Sequence, residues 1–276
     1  MLIADKLVFI EFRNTGAGHV EKLLHRILGG EIDKKARAPD AHLLGGRALF
    51  GSIRDPWGWY LSLWRAGCAQ QGELYQRLTN EKSWRRLLEK AAGGDKDAGS
   101  DAAAGKRVML PEQMGPERAR DHWYADSEDV GAFREWLRVV CALQARRVVD
   151  PGFAQSPISK IGGLMTYRYF MLYVSGAAQI PVTIGTQEGL RAFEAEHLAA
   201  RHVIRQDSLT EDLVQALAQA GIELDDEQRK QIYDARPAGK VRALDVERFY
   251  DAAAADLVAR REKFINERFG YQRPPV

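Results

Sequence analysis

Ala48-Leu49-Phe50-Gly51-Ser52-Ile53-Arg54-Asp55-Pro56-Trp57-Gly58-Trp59-Tyr60-Leu61-Ser62-Leu63-Trp64 is the stretch whose reading decides the fold. Its first six residues carry no charge and do not alternate, as in a strand buried on both faces of a parallel sheet. Pro56 suits the first turn of a helix, and Trp57, Tyr60, Leu61 and Trp64 then fall on one helical face. Arg54 stands at the carboxyl end of the strand, where open α/β sheets bind ligands. Its guanidinium is planar, permanently charged and able to hold an oxyanion with two hydrogen bonds.

The same plan precedes this stretch. Leu7-Val8-Phe9-Ile10 is a continuous apolar run, and Arg13-Asn14-Thr15-Gly16-Ala17-Gly18-His19 is a turn rich in small residues. Val20, Leu23, Leu24, Ile27 and Leu28 follow at helical spacing, closed by Gly29-Gly30. Strand, loop and helix open a βαβ unit. The free N–H groups at such a helix start, with the helix dipole behind them, favour an anion. The expected fold is therefore α/β, a central parallel sheet flanked by helices, with residues 6–12 and 48–53 as adjacent parallel strands. Helical additions follow: a patch at Phe133, Trp136, Leu137, Val140 and Cys141, a buried helix over Leu164–Val174, and one long final helix over 245–269 stopped by Gly270. Ser208-x-x-Glu211 reads as a capping box before the stripe Leu209, Leu213, Val214 and Leu217. Residues 91–106 (AAGGDKDAGSDAAAGK) read as a flexible insert in one domain spanning 1–276.

Composition narrows the function. Among 276 residues, 45% are hydrophobic, enough for a sizeable core, and the formal net charge of +2 argues against a general nucleic-acid or membrane-surface binder. The start of the chain is apolar over too few residues for a signal peptide or a membrane span. Cys68 and Cys141, with no metal-type spacing, fit a reduced compartment, so a cytoplasmic location is expected. His122, His197 and His202 likewise lack the spacing of metal ligands.

Taken together, Phe50–Trp64 resembles the 3′-phosphate-binding segment of the sulfotransferases that use 3′-phosphoadenosine 5′-phosphosulfate (PAPS): an apolar strand, Arg-Asp-Pro, then Ser six residues after the Pro. Phe9–His19 is similar to that family's 5′-phosphosulfate loop, Pro-Lys-Thr-Gly-x-Thr/Ser. Gly163–Tyr169, Arg205–Asp212 and Phe264–Tyr271 resemble later segments, so only the insert lies clearly outside. The resemblance implies the family's P-loop NTPase-like architecture of bacterial type. It also implies PAPS as donor, adenosine 3′,5′-bisphosphate as product, no metal, and a small-molecule or glycan hydroxyl as acceptor. Carried over residue by residue, Arg54 and Ser62 would hold the 3′-phosphate. Asn14, Thr15, Gly16, Ala17, Gly18 and His19 would surround the 5′-phosphosulfate.

Two departures stand out. In the gapless register the family's Lys falls on Asn14 and its second hydroxyl residue on Gly18, with Thr15 and Gly16 in place. Arg13, one residue earlier, can supply the missing charge, so Arg13 and Asn14 are the expected catalytic positions of the loop. The acceptor also needs a base. Glu11, Asp40 and His42 are the candidates, His42 foremost. Trp59 is the aromatic expected to face a ligand, while Trp57, Tyr60 and Trp64 are expected in the core. His25, on a polar helix face, reads as solvated. The alternative to a transferase is a relative that binds the nucleotide without catalysis. A P-loop kinase would need Gly-x₄-Gly-Lys-Ser/Thr, a string this sequence lacks.

Overall fold

The computed structural model describes residues 1–33, 45–85, 115–235 and 245–276. Asp40, His42 and the insert at 91–106 lie outside these described residues. Five strands, β1 Leu2–Ile3, β2 Leu7–Phe9, β3 Glu31–Ile32, β4 Ala48–Ile53 and β5 Ala200–Arg205, form one sheet in the order β3-β1-β2-β4-β5. The two expected strands are adjacent and parallel, Leu7 opposite Ala48 and Phe9 opposite Phe50. β5 continues the parallel set, with Ile53 opposite Arg205. The sheet as a whole is mixed, which corrects the expectation of a parallel one. β1 runs antiparallel to β2 and β3. Its connection to β2 is a tight turn closed by Ala4 N–H donating to the Leu7 carbonyl at 2.9 Å, and strands joined by so short a turn must run in opposite directions.

The helices that matter below are α1 Ala17–Leu28, α2 Pro56–Cys68, α3 Val130–Val140, α4 Leu164–Tyr173, α5 Leu209–Gln219, α6 Ala252–Arg261 and α7 Lys263–Phe269. Side chains leave a strand on alternate faces. Leu7, Phe9 and Phe50 accordingly pack with Val20, Leu23 and Leu24 of α1 and Leu213 and Leu217 of α5. Val8, Ile10, Leu49 and Ile53 pack on the opposite face with α2, α3, α4, α6 and α7. Three layers result, and both strands are covered on both sides as their apolar runs require.

α4 is locked onto β4 at one point. Tyr173 Oη donates to the Ser52 carbonyl (3.0 Å) and accepts from Ser52 N–H (2.9 Å). A Cβ at Gly51 would lie 2.3 Å from the Tyr173 ring, so only glycine admits this approach.

Two helix-end expectations are corrected. The long helix over 245–269 is three pieces, Val246–Phe249, α6 and α7. Asp251 caps α6 by accepting from Ala254 N–H, and Glu262 leaves helical geometry (φ −106°, ψ 28°) between α6 and α7. Gly270 does end α7, at φ 74°. Glu262 is fully buried and accepts from Tyr60 Oη (2.6 Å), Met165 N–H (3.1 Å), Thr166 N–H (2.9 Å) and Thr166 Oγ1 (2.7 Å). A carboxylate from one helix thus caps the start of another, and those four bonds fix the break. Ser208, in turn, makes no cap to its own helix; its hydroxyl donates to Asp212 Oδ1 at 2.9 Å and accepts from Arg205 Nη2 at 2.9 Å.

Candidate anion-binding site

The loop after β2 is held by its carbonyls. Phe12 O accepts from Thr15 Oγ1 (2.6 Å), Arg13 O from Trp59 Nε1 (3.0 Å) and Asn14 O from Arg54 Nη1 (3.2 Å). No hydrogen bond among the described residues uses the backbone N–H groups from Arg13 to Gly18. Asn14 (φ 67°) and Gly16 (φ 80°) adopt the left-handed region, and Gly16 is the N-cap of α1. Asn and Gly are the residues that enter this region at least cost. A run of free N–H groups in such a turn, at the positive end of a helix with no acidic residue in its first turn, is an anion cradle.

The side chains of this loop divide differently from the expectation. The Thr15 hydroxyl is buried and shared between Phe12 O and Ser52 Oγ (2.7 Å), so it braces the loop against β4 and only its backbone is left for an anion. Ala17 is buried and offers backbone alone. Gly18 is exposed, and a Cβ there would stand 4.0 Å from Glu11 Oε1, which places that carboxylate beside the start of α1. His19 is half-buried, and burial, then Arg26 and Lys22, hold its imidazole below the usual value. It is neutral near pH 7 and offers a hydrogen bond rather than a charge.

Arg54 leaves β4 beside this loop. Its side chain packs along α2, with Nη2 lying 2.9 Å from the place a Gly58 Cβ would occupy. Nε is buried with no hydrogen-bond partner, Asp55 Oδ2 being 3.8 Å away. Burial lowers the guanidinium's pKa, opposed first by Asp55 and then by Tyr271. The Tyr271 hydroxyl is a second buried polar atom without a partner; burial, then Asp207 and Asp55, push its pKa up, so it remains a donor. Buried polar atoms without a hydrogen bond call for an explanation, and these two, within electrostatic reach of each other, are candidate contacts for a ligand. Ser62 is half-buried, four residues beyond Gly58 and so on the same side of α2; no hydrogen bond joins it to Arg54.

Arg205, at the end of β5, is fixed by Asp212 and Ser208. The segment after β5 closes the loop's far side, Gln206 Cγ and Leu209 Cδ1 lying 3.5 and 3.6 Å from where a Gly16 Cβ would be. Three parallel strands thus deliver Asn14–Gly16, Arg54 and Arg205 to one edge of the sheet.

Trp59 corrects its expectation: it is fully buried, a strut from α2 to Arg13 rather than a surface for a base. Trp57, Tyr60 and Trp64 are core, as expected. The cleft lined by Arg65, Cys68, Asp126 and Glu128 lies at the other end of α2 from Arg54. Two carboxylates make it poor for phosphate, and burial pushes the Cys68 thiol up to about 12, which leaves no nucleophile there. Among the described residues no group of three or more His, Cys, Asp or Glu gathers as for a metal ion, and no helix is long and apolar enough to cross a membrane. Tyr271 and Arg168 were not singled out from sequence. Each carried a signal only as part of a resembling segment, Tyr271 in Phe264–Tyr271 and Arg168 in Gly163–Tyr169. No family model, curated protein or solved structure matches this chain.

Proposed function

We propose that this chain binds an adenosine 3′,5′-bisphosphate-type nucleotide across the ends of β2 and β4 and moves a sulfuryl group from PAPS to a hydroxyl of a small-molecule or glycan acceptor. The 5′-phosphate would sit on the Arg13–Gly18 N–H groups and the 3′-phosphate on Arg54, with Ser62 one turn beyond Gly58. The observation that supports this reading is the abutment of two candidate anion sites, Arg54 Nη1 bonded to the Asn14 carbonyl while the loop's N–H groups and Arg54 Nε, ion-paired to Asp55 at 3.8 Å, make no hydrogen bond among the described residues. In the transfer the acceptor oxygen bonds to sulfur as sulfur's bond to the 5′-phosphate oxygen breaks. The electron pair stays on that phosphate, and the acceptor's proton passes to a base. Glu11, whose carboxylate lies beside the start of α1, would be that base.

A second reading, nucleotide binding without transfer, is favoured by one finding. Thr15's hydroxyl is spent inside the protein and position 18 has none, so the loop keeps no free hydroxyl and only Arg13 as a cation. The two readings share the nucleotide and part on turnover. Adenosine 3′,5′-bisphosphate is expected to bind about tenfold or more tightly than adenosine 5′-monophosphate, since each charge-assisted contact contributes roughly 1.5–3 kcal/mol. Equal affinities by titration calorimetry would contradict the 3′-phosphate site. Sulfuryl release from PAPS then separates enzyme from binder.

A further inference from the structure

Arg168, on α4, places its guanidinium over the Trp59 ring, 5.6 Å from the centroid. Trp59 is also bonded to the Arg13 carbonyl, so one indole links this arginine to the anion loop. Among the described residues neither Arg13 nor Arg168 has an ion pair or side-chain hydrogen bond. Burial lowers the Arg168 pKa; of the charged groups facing it, Asp150 and Glu73 oppose this and Arg13 adds to it. Both carboxylates are engaged elsewhere. Asp150 Oδ1 accepts from Gly152 N–H (2.8 Å) and Phe153 N–H (3.0 Å), and Glu73 Oε1 accepts from Arg77 Nε (3.0 Å). Arg13, Arg77 and Arg168 therefore face two carboxylates, with positive charge left over. Among the described residues the neighbouring Tyr167 hydroxyl makes no hydrogen bond; burial, then Asp150, push its pKa up to about 12, so it stays a neutral donor.

We propose that Arg168, with Arg13 and the Tyr167 hydroxyl, binds an oxyanion of the acceptor, a phosphate monoester or carboxylate, beside the Arg13–Gly18 loop. The indole under Arg168 holds its flat fork in place, which is what two-point recognition of an oxyanion needs. This assignment rests on the nucleotide reading above for the word acceptor. It narrows the substrate class to molecules carrying a hydroxyl and an anionic group.

The experiment titrates inorganic phosphate and, separately, acetate into protein saturated with adenosine 3′,5′-bisphosphate. Wild type, Arg168→Met and Arg168→Lys are compared. Phosphate or acetate should bind the wild type, and whichever binds more tightly identifies the anion. Arg168→Met should weaken that binding by about tenfold or more and Arg168→Lys by less. The Lys variant keeps the charge, so it decides the matter should the Met variant fail to fold. Neither anion binding the saturated wild type, or both Arg168 variants binding like wild type, would overturn the proposal. If the bisphosphate itself does not bind, the nucleotide reading falls, and with it the acceptor assignment. Arg168-dependent phosphate binding to the unsaturated protein would then still establish the anion site.

Discussion

Arg13→Ala should lower sulfuryl release from PAPS by about 10²–10³, the usual effect of removing one aimed stabiliser of developing charge, and leave bisphosphate affinity within about twofold. Arg13 is the only cationic side chain in the run Arg13–Gly18, and it is exposed with no ion pair among the described residues. The 5′-phosphate, by contrast, is met by backbone N–H groups that this substitution retains. Charge on the bridging oxygen grows only as the S–O bond breaks, so the loss belongs to turnover and not to binding. Asn14→Lys is expected to gain little. Asn14 sits at φ 67°, where a side chain other than Gly, Asn or Asp costs roughly 1–2 kcal/mol. Its carbonyl, moreover, is the acceptor for Arg54. Turnover measured at saturating donor decides the point. Unchanged release in Arg13→Ala, with Asn14→Lys accelerating it, would place the catalytic cation at position 14 instead.

Glu262→Ala should cost about 3–5 kcal/mol of stability, read as a lower urea midpoint at unchanged slope. The carboxylate is fully buried and satisfies four donors from α2 and the first turn of α4. Truncation would orphan all four in the core, where each unsatisfied group costs about 1–3 kcal/mol less whatever relaxation recovers. A Cβ at Gly163 would lie 1.9 Å from Glu262 Oε1, so the chain before α4 is shaped around this carboxylate. Glu262→Gln should cost less, keeping one acceptor oxygen while turning an NH₂ toward donors. An alanine variant as stable as wild type would show that α4 starts without help from Glu262.

The elements legible in the sequence were those whose burial is continuous. Leu7–Ile10 is apolar throughout and Ala48–Ile53 is uncharged with Ser52 its one polar residue, because both sheet faces are covered, and each is followed by a Gly turn or a Pro that starts a helix. β5 was not legible as a strand. Its residues Ala200-Arg201-His202-Val203-Ile204-Arg205 carry charge because the strand lies at the end of the sheet order, half-exposed. β1 escaped notice because a two-residue strand has no pattern to read. The break at Glu262 was hidden for a different reason: a glutamate at helical spacing looks like a solvated position, and only tertiary donors reveal it as buried. Asp245 and Asp251, both side-chain caps in the structure, were the local signals that the final helix is interrupted. Arg54 drew notice as an Arg at a strand's carboxyl end following a small-residue loop, and the structure sets it against that loop's Asn14 carbonyl as well as Asp55. Thr15 misled, since a hydroxyl in a phosphate-like loop and a hydroxyl bracing that loop look identical in sequence. Arg168 and Tyr271 depend on contacts between segments distant in the chain, which spacing cannot show.

Titration of adenosine 3′,5′-bisphosphate into the wild type and Arg54→Ala tests the central claim most directly. The substitution removes a guanidinium whose Nε makes no hydrogen bond, only a 3.8 Å ion pair with Asp55, and whose Nη1 holds the loop carbonyl, so its effect should fall on the ligand more than on the fold. Saturable one-to-one binding to the wild type, weakened by roughly 1.5–3 kcal/mol (about tenfold to a hundredfold) in a folded Arg54→Ala, is the predicted result. The absence of saturable binding to the wild type, or equal affinity in the two proteins, would contradict the account.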